Sequence, residues 1–233
     1  MVIKPKETTP ESFHARPPKA WELYAYGFAR TLVNALNKTA WRVKIVGASR
    51  LPEGAFILAP VHRSNLDTLL VASLTKRRLR YMGKDGVWKY KLSGAILTAL
   101  GGFPVHRGAA DREALRRCNL VLASGEPLVL FPEGTRKSGS TVEGLFEGAA
   151  YIAIKGNVPI VPVGIGGSER AWGKSKKFPK PTKIVLVVGD PIYPTVGEGG
   201  SRVPRSSLSI LSEQLSAALQ ELFDEAQSML GLG

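Results

Sequence analysis

The sequence predicts an α/β fold in which a central, mostly parallel (mixed) sheet is flanked by helices. Short apolar segments typical of buried strands alternate with segments of helical periodicity along most of the chain. The 233 residues are long enough to enclose a sizeable core in one domain. A hydrophobic content of 44% and a charged content of 22% are those of a globular protein. An N-terminal amphipathic helix and a C-terminal helix complete the predicted fold.

The chain before the sheet divides into a tail and a helix. Residues 1–18 hold four prolines and few apolar side chains, so we expect a flexible tail. Residues 19–41 are predicted to form an amphipathic helix, whose broad apolar face consists of Trp21, Tyr24, Phe28, Leu32 and Leu36. A basic, aromatic-rich helix can dock on a membrane interface, whereas most surface helices pack their apolar face on the core. The aromatic content favours membrane contact, but both alternatives stay open.

Strands and helices alternate through residues 42–233, which form the predicted α/β domain. The predicted strands lie at residues 43–46, 55–59, 79–82, 128–131, 160–163 and 184–188. The predicted helices lie at residues 66–75, 87–100, 111–124, 145–155 and 206–230. Leucines recur at helical spacing in the last helix, which indicates an ordinary core-packing stripe. The segment before it, residues 191–205, is rich in glycine, proline and serine and is typical of a loop.

The charge is strongly positive and unevenly spread. The formal net charge is +13, and residues 206–233 hold no lysine or arginine. Two basic clusters, residues 76–80 and 174–180, are dense enough to attract anions. Nucleic acid, an anionic membrane surface and phosphorylated substrates are all compatible with this charge, and so is a merely solvated face. The clusters lack the interleaved aromatic residues of an RNA-binding strand, so no nucleic-acid partner is expected.

The cysteine and histidine content limits the possible chemistry. Cys118 is the only cysteine, so the chain has no internal disulfide. Its helical spacing with Leu115 and Leu122 predicts a core residue rather than a nucleophile. Three histidines and one cysteine offer no ligand cluster, so no metal is expected. The N-terminus lacks the apolar region of a signal peptide, and no segment approaches the about 20 apolar residues that a spanning helix needs.

The candidate catalytic pair is His62 and Asp67. His62 follows an apolar run, and Asp67 begins a helical pattern five positions later. If His62 lies in the turn and Asp67 in the first helical turn, the carboxylate folds back onto the imidazole. An aspartate on one ring nitrogen fixes the tautomer and leaves the other nitrogen as a base. From this pattern alone, a His–Asp dyad and a capping aspartate beside an unrelated histidine are equally good interpretations.

Ser64 and nearby backbone N–H groups are further candidates at this site. Ser64 is not surrounded by a nucleophile-elbow motif, so it is predicted to be a cap or a substrate hydrogen-bond donor. Backbone N–H groups of the helix after His62, or of the loop at residues 133–136, are candidates to stabilise an oxyanion.

Four sequence blocks in a fixed order carry a family resemblance. They are Val61–Asp67, Gly102–Arg107, Phe131–Arg136 and Val158–Val163. Together they resemble the glycerolipid acyltransferases, specifically the PlsC-like 1-acylglycerol-3-phosphate acyltransferases. The resemblance runs from about Val43 to Asp190 and implies a fold like that of glycerol-3-phosphate acyltransferase. Val61 departs from the pattern, because relatives often carry asparagine before the histidine, but it is not a residue assigned to proton transfer.

The resemblance implies a reaction. A fatty acyl group would pass from an acyl thioester, carried by coenzyme A or acyl carrier protein, to the free hydroxyl of 1-acylglycerol-3-phosphate (lysophosphatidate). The product would be phosphatidate, for phospholipid synthesis. The attack would be direct, without an acyl-enzyme, with His62 as general base and Asp67 as its orienter. No cofactor is expected beyond the acyl-donor substrate.

Other functions stay open at this point. Within the family, the acceptor could be glycerol 3-phosphate or another lipid, although the short chain and the close match at Phe131–Arg136 favour lysophosphatidate. Outside it, the alternatives are a catalytically inactive membrane-binding protein and a nucleic-acid-binding protein.

The resemblance also implies substrate-binding residues. They are Arg107, Glu133, Gly134, Thr135, Arg136 and Lys84. Arg107 and Arg136 would bind the acceptor phosphate, with Lys84 as a weaker candidate. Glu133 would orient Arg136 or accept from a glycerol hydroxyl, and Gly134 would let the backbone approach a ligand. The alternative is a Glu–Arg pair that only stabilises the turn. His106 is expected to be structural or incidental.

The expected partners follow from these assignments. They are lysophosphatidate, the acyl thioester, an anionic membrane surface and, where it carries the acyl group, acyl carrier protein. We expect a cytoplasmic protein that associates peripherally with the inner face of a membrane.

Overall fold

The structure is a computed structural model that describes residues 20–84, 86, 88, 90–105, 112–195 and 203–232. Within these residues, seven strands form a single mixed sheet with helices packed around it, which confirms the predicted α/β class. The predicted tail of residues 1–18 lies outside the described residues. So do Arg107, His106 and the middle of the predicted loop at 191–205, and the side chain of Lys84 is also outside them.

The elements follow each other in largely alternating order. The helices are α1 (Ala20–Thr39), α2 (Asp67–Val71), α3 (Lys91–Ala99), α4 (Arg112–Ala123), α5 (Gly148–Gly156), α6 (Ser168–Trp172) and α7 (Arg205–Ser228). The strands are β1 (Lys44–Val46), β2 (Ile57–Pro60), β3 (Arg80–Lys84), β4 (Gly102–Val105), β5 (Leu128–Val129), β6 (Ile160–Gly166) and β7 (Val185–Val188). A short 3-10 turn, Ala48–Arg50, follows β1.

The strand order across the sheet is β1-β7-β6-β2-β5-β3-β4. Neighbouring strands are parallel except β6 and β7, which are antiparallel. β2 lies at the centre and pairs with β6 on one side and β5 on the other. Because β2 and β5 are parallel, the loops that follow them emerge at the same edge of the sheet. Those loops carry His62 and Glu133.

Helix α7 covers the sheet through an unusually close approach to β6. All seven residues of β6 are buried, as are Leu211, Leu215 and Leu219 of the predicted leucine stripe. A Cβ at Gly164 would lie 2.1 Å from the carbonyl oxygen of Leu222, so only glycine allows this contact. The strand that carries the Val158–Val163 block is thereby fixed against the C-terminal helix.

Two elements were not predicted from the sequence. β4 contains Gly102 and Pro104 and follows Gly101, whose φ is +89°. Glycine and proline at this density are typical of a turn between elements, so the sequence does not indicate a strand here. It pairs only with β3, and an edge strand tolerates a proline that cannot donate to a neighbour. α6 has five residues, too few for a helical period to be recognised. The predicted helix at 66–75 is also shorter, ending at Val71.

Helix α1 faces the domain with its polar side. Asn37 is buried and donates to the Leu69 carbonyl and the Ser73 hydroxyl at 3.1 and 2.6 Å. Arg30 donates to the Thr75 carbonyl at 3.2 Å. The predicted apolar face lies outward instead, with Tyr24 80% and Phe28 75% exposed. In the described part of the chain, the alternative that this face packs on the core is therefore wrong. No described helix is both long enough and apolar enough to cross a membrane.

Candidate active site

The site forms where the chain leaves β2. Asp67, the first residue of α2, is fully buried, and its Oδ2 lies 3.0 Å from Nδ1 of His62. The same oxygen accepts the backbone N–H groups of Arg63 and Ser64, each at 2.7 Å. The turn therefore wraps around one carboxylate oxygen. A carboxylate at Nδ1 favours the tautomer with its proton there, which leaves Nε2 as the basic nitrogen.

The imidazole is also held by its face. The ring of His62 stacks on Phe131, with the centroids 4.1 Å apart and the planes 29° from parallel. Contact with the carboxylate at one edge and the phenyl ring at one face fixes the orientation of the imidazole. About 20% of the His62 side chain remains exposed, so the ring reaches the surface of the site.

Glu133 lies behind the turn rather than in the open site. Its Oε2 accepts the backbone N–H of His62 at 2.6 Å, and its Oε1 lies 3.1 Å from Nη2 of Arg63. Both side chains are almost completely buried. Burial raises the pKa of the Glu133 carboxyl, and the His62 N–H and the Arg63 guanidinium oppose that rise. The charged partner of Glu133 is thus Arg63, where the sequence predicts Arg136 or a substrate hydroxyl.

Arg136 reaches the same edge from the loop after β5. Its guanidinium donates to the side-chain oxygen of Asn65, two residues before Asp67, and the residue is half-buried. The loop also meets the turn through its backbone, because the Lys137 N–H donates to the His62 carbonyl at 2.8 Å. The structure therefore brings Arg136 next to the catalytic candidates, where an anionic group bound in the site would meet a cation.

Gly134 and Thr135 shape this loop. Gly134 has a φ of +65°, and a Cβ there would lie 2.5 Å from the ring of Phe146. The glycine is therefore required by the loop itself and by Phe146, a reason different from the expected approach of a ligand. Thr135 is exposed, and its N–H donates to the Glu133 carbonyl at 2.7 Å.

The backbone N–H groups of the turn that begins at His62 are occupied. The N–H groups of residues 62–67 each have an acceptor in the structure. The N–H groups of residues 62–67 are therefore not free to bind an oxyanion in this structure, and the identity of the oxyanion donors stays a prediction. Ser64 is fully buried; its hydroxyl donates to the Trp172 carbonyl at 2.9 Å and accepts from the Leu66 N–H at 3.1 Å. Of the two roles predicted for Ser64, only the local structural one fits.

An apolar cavity of about 480 Å³ opens beside Phe131. Its lining includes Met82, Leu115, Phe146, Tyr151 and Leu208. Cys118, also part of the lining, is buried, and burial raises the pKa of its thiol to about 12. A thiol held protonated is a poor nucleophile, so the prediction of a core cysteine is confirmed. The stack of Phe131 on His62 places this cavity next to the imidazole.

The basic cluster at residues 76–80 is largely turned into the protein. Arg77 donates to the carbonyls of Pro52, Gly54 and Gly125, and Arg78 donates to that of Thr98. Arg80 is buried beside Glu126. Lys76 is left as its exposed cation, so this cluster attracts anions less than the sequence indicates. Among the described residues, no group of His, Cys, Asp and Glu is placed to hold a metal ion.

Sequence reasoning missed Arg63, Asn65 and Phe131 as parts of the site. Arg63 has no local signal of burial, since arginine in a polar block is ordinarily exposed. The sequence predicts Phe131 only as the end of a strand, because its contact with His62 joins the segments that follow two parallel strands distant in sequence. Lys84 ends β3, but its side chain and all of Arg107 lie outside the described part of the chain.

Comparisons with known proteins agree with this arrangement. A sequence model of the acyltransferase family matches residues 42–166, more than half of the chain. The 1-acyl-sn-glycerol-3-phosphate acyltransferase of Bacillus subtilis (strain 168) is 26% identical over 199 residues, covering 84% of this chain and 96% of that protein. A 1-acyl-sn-glycerol-3-phosphate acyltransferase of Chlamydomonas reinhardtii is 28% identical over 162 residues, covering 66% of this chain and 48% of that protein.

A solved structure is similar in fold. The crystal structure of the 1-acyl-sn-glycerophosphate (LPA) acyltransferase PlsC from Thermotoga maritima superposes with a TM-score of 0.67. The match covers 85% of this chain and 81% of that one, at 24% sequence identity. The shared architecture is the mixed sheet with its N- and C-terminal helices.

Proposed function

The chain belongs to the acyltransferase family, and we propose that it transfers a fatty acyl group from an acyl thioester to the free hydroxyl of lysophosphatidate, giving phosphatidate. The observation that carries the proposal is the His62–Asp67 pair, 3.0 Å apart, beside an apolar cavity. The names of the Bacillus and Chlamydomonas relatives support this acceptor over glycerol 3-phosphate.

The proposed reaction is a direct acyl transfer. Nε2 of His62 takes the proton of the acceptor hydroxyl as its oxygen attacks the thioester carbonyl. Asp67 holds the imidazole in the required tautomer and stabilises the imidazolium that forms. The carbon–sulfur bond then breaks, and the imidazolium returns the proton to the leaving thiolate. An ester and a free thiol result, and His62 is neutral again.

An acyl chain needs an apolar binding site, whereas the phosphate of the acceptor needs a positively charged one. The cavity beside Phe131 supports binding of an acyl chain, since its lining is mainly apolar and it adjoins the imidazole. Arg136, with Arg107 and Lys84 as further candidates, is proposed to bind the phosphate of the acceptor. Glu133 is proposed as a positioning residue, because it holds the backbone of His62 and the side chain of Arg63.

The proposed organisation places the reaction at a membrane. Residues 42–233 are proposed as the acyltransferase domain and residues 19–41 as its membrane-docking helix. Support comes from α1, which presents Tyr24 and Phe28 outward while its polar side is bound to the domain. Aromatic side chains exposed on a helix favour insertion at the level of the lipid headgroups.

A thioester-consumption assay tests the proposed reaction. Purified full-length protein is supplied with an acyl thioester and, in parallel, with lysophosphatidate, glycerol 3-phosphate or a lysophospholipid without a free phosphate. We expect thiol release and phosphatidate formation with lysophosphatidate, and a much lower kcat/KM with the other acceptors. A preference for glycerol 3-phosphate would replace the proposed acceptor, and the absence of turnover with all acceptors and donors would contradict the proposed function.

A further inference from the structure

A second, polar pocket of about 250 Å³ lies on the other side of the turn that carries His62. We call it the Arg63 pocket; the residues that define it here are Arg63, Ser138, Arg170, Lys174, Lys176 and Gln227. It has no lining residue in common with the apolar cavity beside Phe131. The function proposed above assigns none of its charged side chains to the binding of a substrate.

Arg63 places a buried positive charge at one wall of the pocket. The residue is 1% exposed. Nη2 donates to the Thr141 carbonyl at 2.8 Å and lies near Glu133, and the guanidinium carbon sits 5.0 Å from the centre of the Phe223 ring. Nε and Nη1 have no hydrogen-bond partner among the residues that the structure describes. Both nitrogens are shielded from solvent, so Arg63 contributes to the pocket through the positive charge that it places behind the wall rather than through direct contact.

The charge of the lining specifies the class of ligand. Arg63, Arg170, Lys174 and Lys176 are cationic, and Glu169 is the one acid among the lining residues. Glu169 is occupied in part by the Gly139 N–H, 3.4 Å from its Oε2. A pocket with this excess of positive charge matches a phosphate group, whose oxygens accept charge-assisted hydrogen bonds from arginine and lysine side chains.

The pocket is joined to the active site through the backbone of one turn. Arg63 follows His62 directly, and its Nη2 shares Glu133 with the His62 N–H. On the other wall, Ser138 follows Lys137, whose N–H is bound to the His62 carbonyl. A group bound in the pocket would therefore lie against the turn that holds the imidazole in place.

We propose that the Arg63 pocket is a phosphate-binding site, separate from the contacts proposed for the phosphate of the acceptor. A phosphate of this kind could come from the coenzyme A part of an acyl donor or from the headgroup of an anionic lipid. Only the choice between these sources rests on the function proposed above. Binding of the phosphate group itself is tested without any turnover.

The first experiment measures binding directly. Full-length protein is titrated with inorganic pyrophosphate by calorimetry, and wild type is compared with Arg170→Gln/Lys174→Gln. The matched control is Lys177→Gln/Lys180→Gln, which removes the same charge from exposed lysines that do not line the pocket. We expect the Kd to rise at least about tenfold in the pocket variant, as charge-assisted contacts are lost. The control should stay within about twofold, because distant surface charges are screened.

Two results would overturn the proposal. One is the absence of saturable pyrophosphate binding by the wild type. The other is equal weakening in the pocket variant and the control, which would mean that only overall charge matters. Both variants replace surface side chains, so thermal unfolding should show that they are folded before either result is accepted.

The second experiment identifies the source of the phosphate. The same variants are compared with an acyl-coenzyme A and with the same acyl group on N-acetylcysteamine, a thioester that contains no phosphate. A rise in the KM for the coenzyme A thioester alone identifies the donor as the source. Weaker flotation of the pocket variant on phosphatidate vesicles, with unchanged donor KM values, identifies a lipid headgroup instead. Loss of pyrophosphate binding with both measurements unchanged would leave a free phosphate anion as the ligand.

Discussion

Glu133 Oε2 accepts the backbone N–H of His62 at 2.6 Å, so a buried carboxylate from the β5 loop holds the backbone of the catalytic candidate. The contact crosses from one parallel strand to its neighbour, since His62 follows β2 and Glu133 follows β5. Burial raises the pKa of this carboxyl against the opposing effects of the His62 N–H and Arg63. The carboxylate therefore holds the turn in place, but its burial lowers the free energy of unfolding by an amount that depends on pH.

The pH dependence of stability tests this balance. A raised pKa means that the folded state binds more protons than the unfolded state above about pH 4.3, the ordinary value for glutamate. The free energy of unfolding therefore falls as pH rises through that region towards the folded-state pKa. Glutamine at position 133 cannot titrate, so the stability of wild type relative to Glu133→Gln should decrease from pH 4.5 to 8. Urea unfolding at each pH measures both proteins.

Glu133→Gln also leaves Arg63 without an ionic partner, and in the variant this cost is the same at every pH because arginine stays protonated and glutamine does not titrate. Only the slope against pH is therefore diagnostic. A wild-type advantage that grows as pH rises would mean that attraction to Arg63 outweighs burial, and the assigned direction of the pKa shift would be wrong.

Replacement of the catalytic pair should separate activity from folding. His62→Ala is expected to lower kcat by at least about 10²-fold, since general-base catalysis contributes about 10²–10⁴. Asp67→Asn should also be severely impaired, because the neutral amide no longer holds the imidazole in the required tautomer. Rates are measured by thiol release, with circular dichroism and thermal unfolding as controls. Turnover near the wild-type level by folded His62→Ala would rule out the proposed mechanism.

Arg136 offers a test of acceptor recognition. Arg136→Ala should raise the KM for lysophosphatidate by about 10- to 100-fold, since a charge-assisted hydrogen bond contributes about 1.5–3 kcal/mol. The KM for the acyl donor should change much less. Lys137→Ala is the matched control, since it removes the adjacent positive charge while the backbone N–H that binds the His62 carbonyl remains. Equal effects on the two substrates would count against this role for Arg136. Arg107→Ala tests the corresponding sequence prediction.

How well the sequence predicts the site depends on how far apart in the sequence the contacting residues lie. The His62–Asp67 contact spans five positions within one strand-to-helix turn, so local pattern was enough to anticipate it. The role of Glu133 was not anticipated, because its partners lie about seventy positions away and are joined only by the pairing of β2 with β5. The fold class followed from alternating periodicity, whereas β4 was missed because glycine and proline at a sheet edge give no strand signal.

The direction in which α1 faces shows the same limit. Periodicity located the apolar stripe correctly, but it carries no information on whether that stripe faces core or solvent. The direction in which the stripe faces depends on contacts with the rest of the domain. Asn37 and Arg30, on the side of α1 opposite the stripe, bind backbone carbonyls of the domain, so the stripe faces solvent. The loss of Arg77, Arg78 and Arg80 from the expected basic surface has the same origin, since backbone carbonyls from other segments bind Arg77 and Arg78 and the Glu126 carboxylate pairs with Arg80.

The width of the apolar cavity should determine which length of acyl chain the protein prefers. Ala114 of α4 is half-buried and lines the cavity, so Ala114→Leu narrows it with little disturbance of the core. We expect kcat/KM to fall for long-chain thioesters and to change little for short-chain ones, measured over donors of increasing length. Ala123→Leu on the same helix is the control, since Ala123 is exposed and does not line the cavity. An identical profile in both variants would mean that the chain binds elsewhere.

Membrane association is the prediction that links α1 to the reaction. Both proposed substrates carry acyl chains that partition into bilayers, and α1 presents large apolar side chains to solvent on the side away from the domain. Binding to anionic vesicles is expected to combine burial of these side chains with attraction between lipid headgroups and the basic surface. Flotation should therefore increase with the fraction of anionic lipid and decrease with added salt, because salt shortens the Debye length.

The two contributions separate in a matched pair of variants. Tyr24→Ser/Phe28→Ser removes two exposed apolar side chains from α1, whereas Tyr193→Ser/Ile210→Ser removes two that are exposed elsewhere, at 69% and 55%. The α1 variant should float poorly even at low salt, and the control should float like the wild type, because only α1 is proposed to enter the interface. Since Asn37 and Arg30 still tie the helix to the domain in both variants, thermal unfolding should be unchanged. Equal flotation of the α1 variant and the control would assign the membrane contact to another surface, and flotation unaffected by salt would remove the electrostatic part.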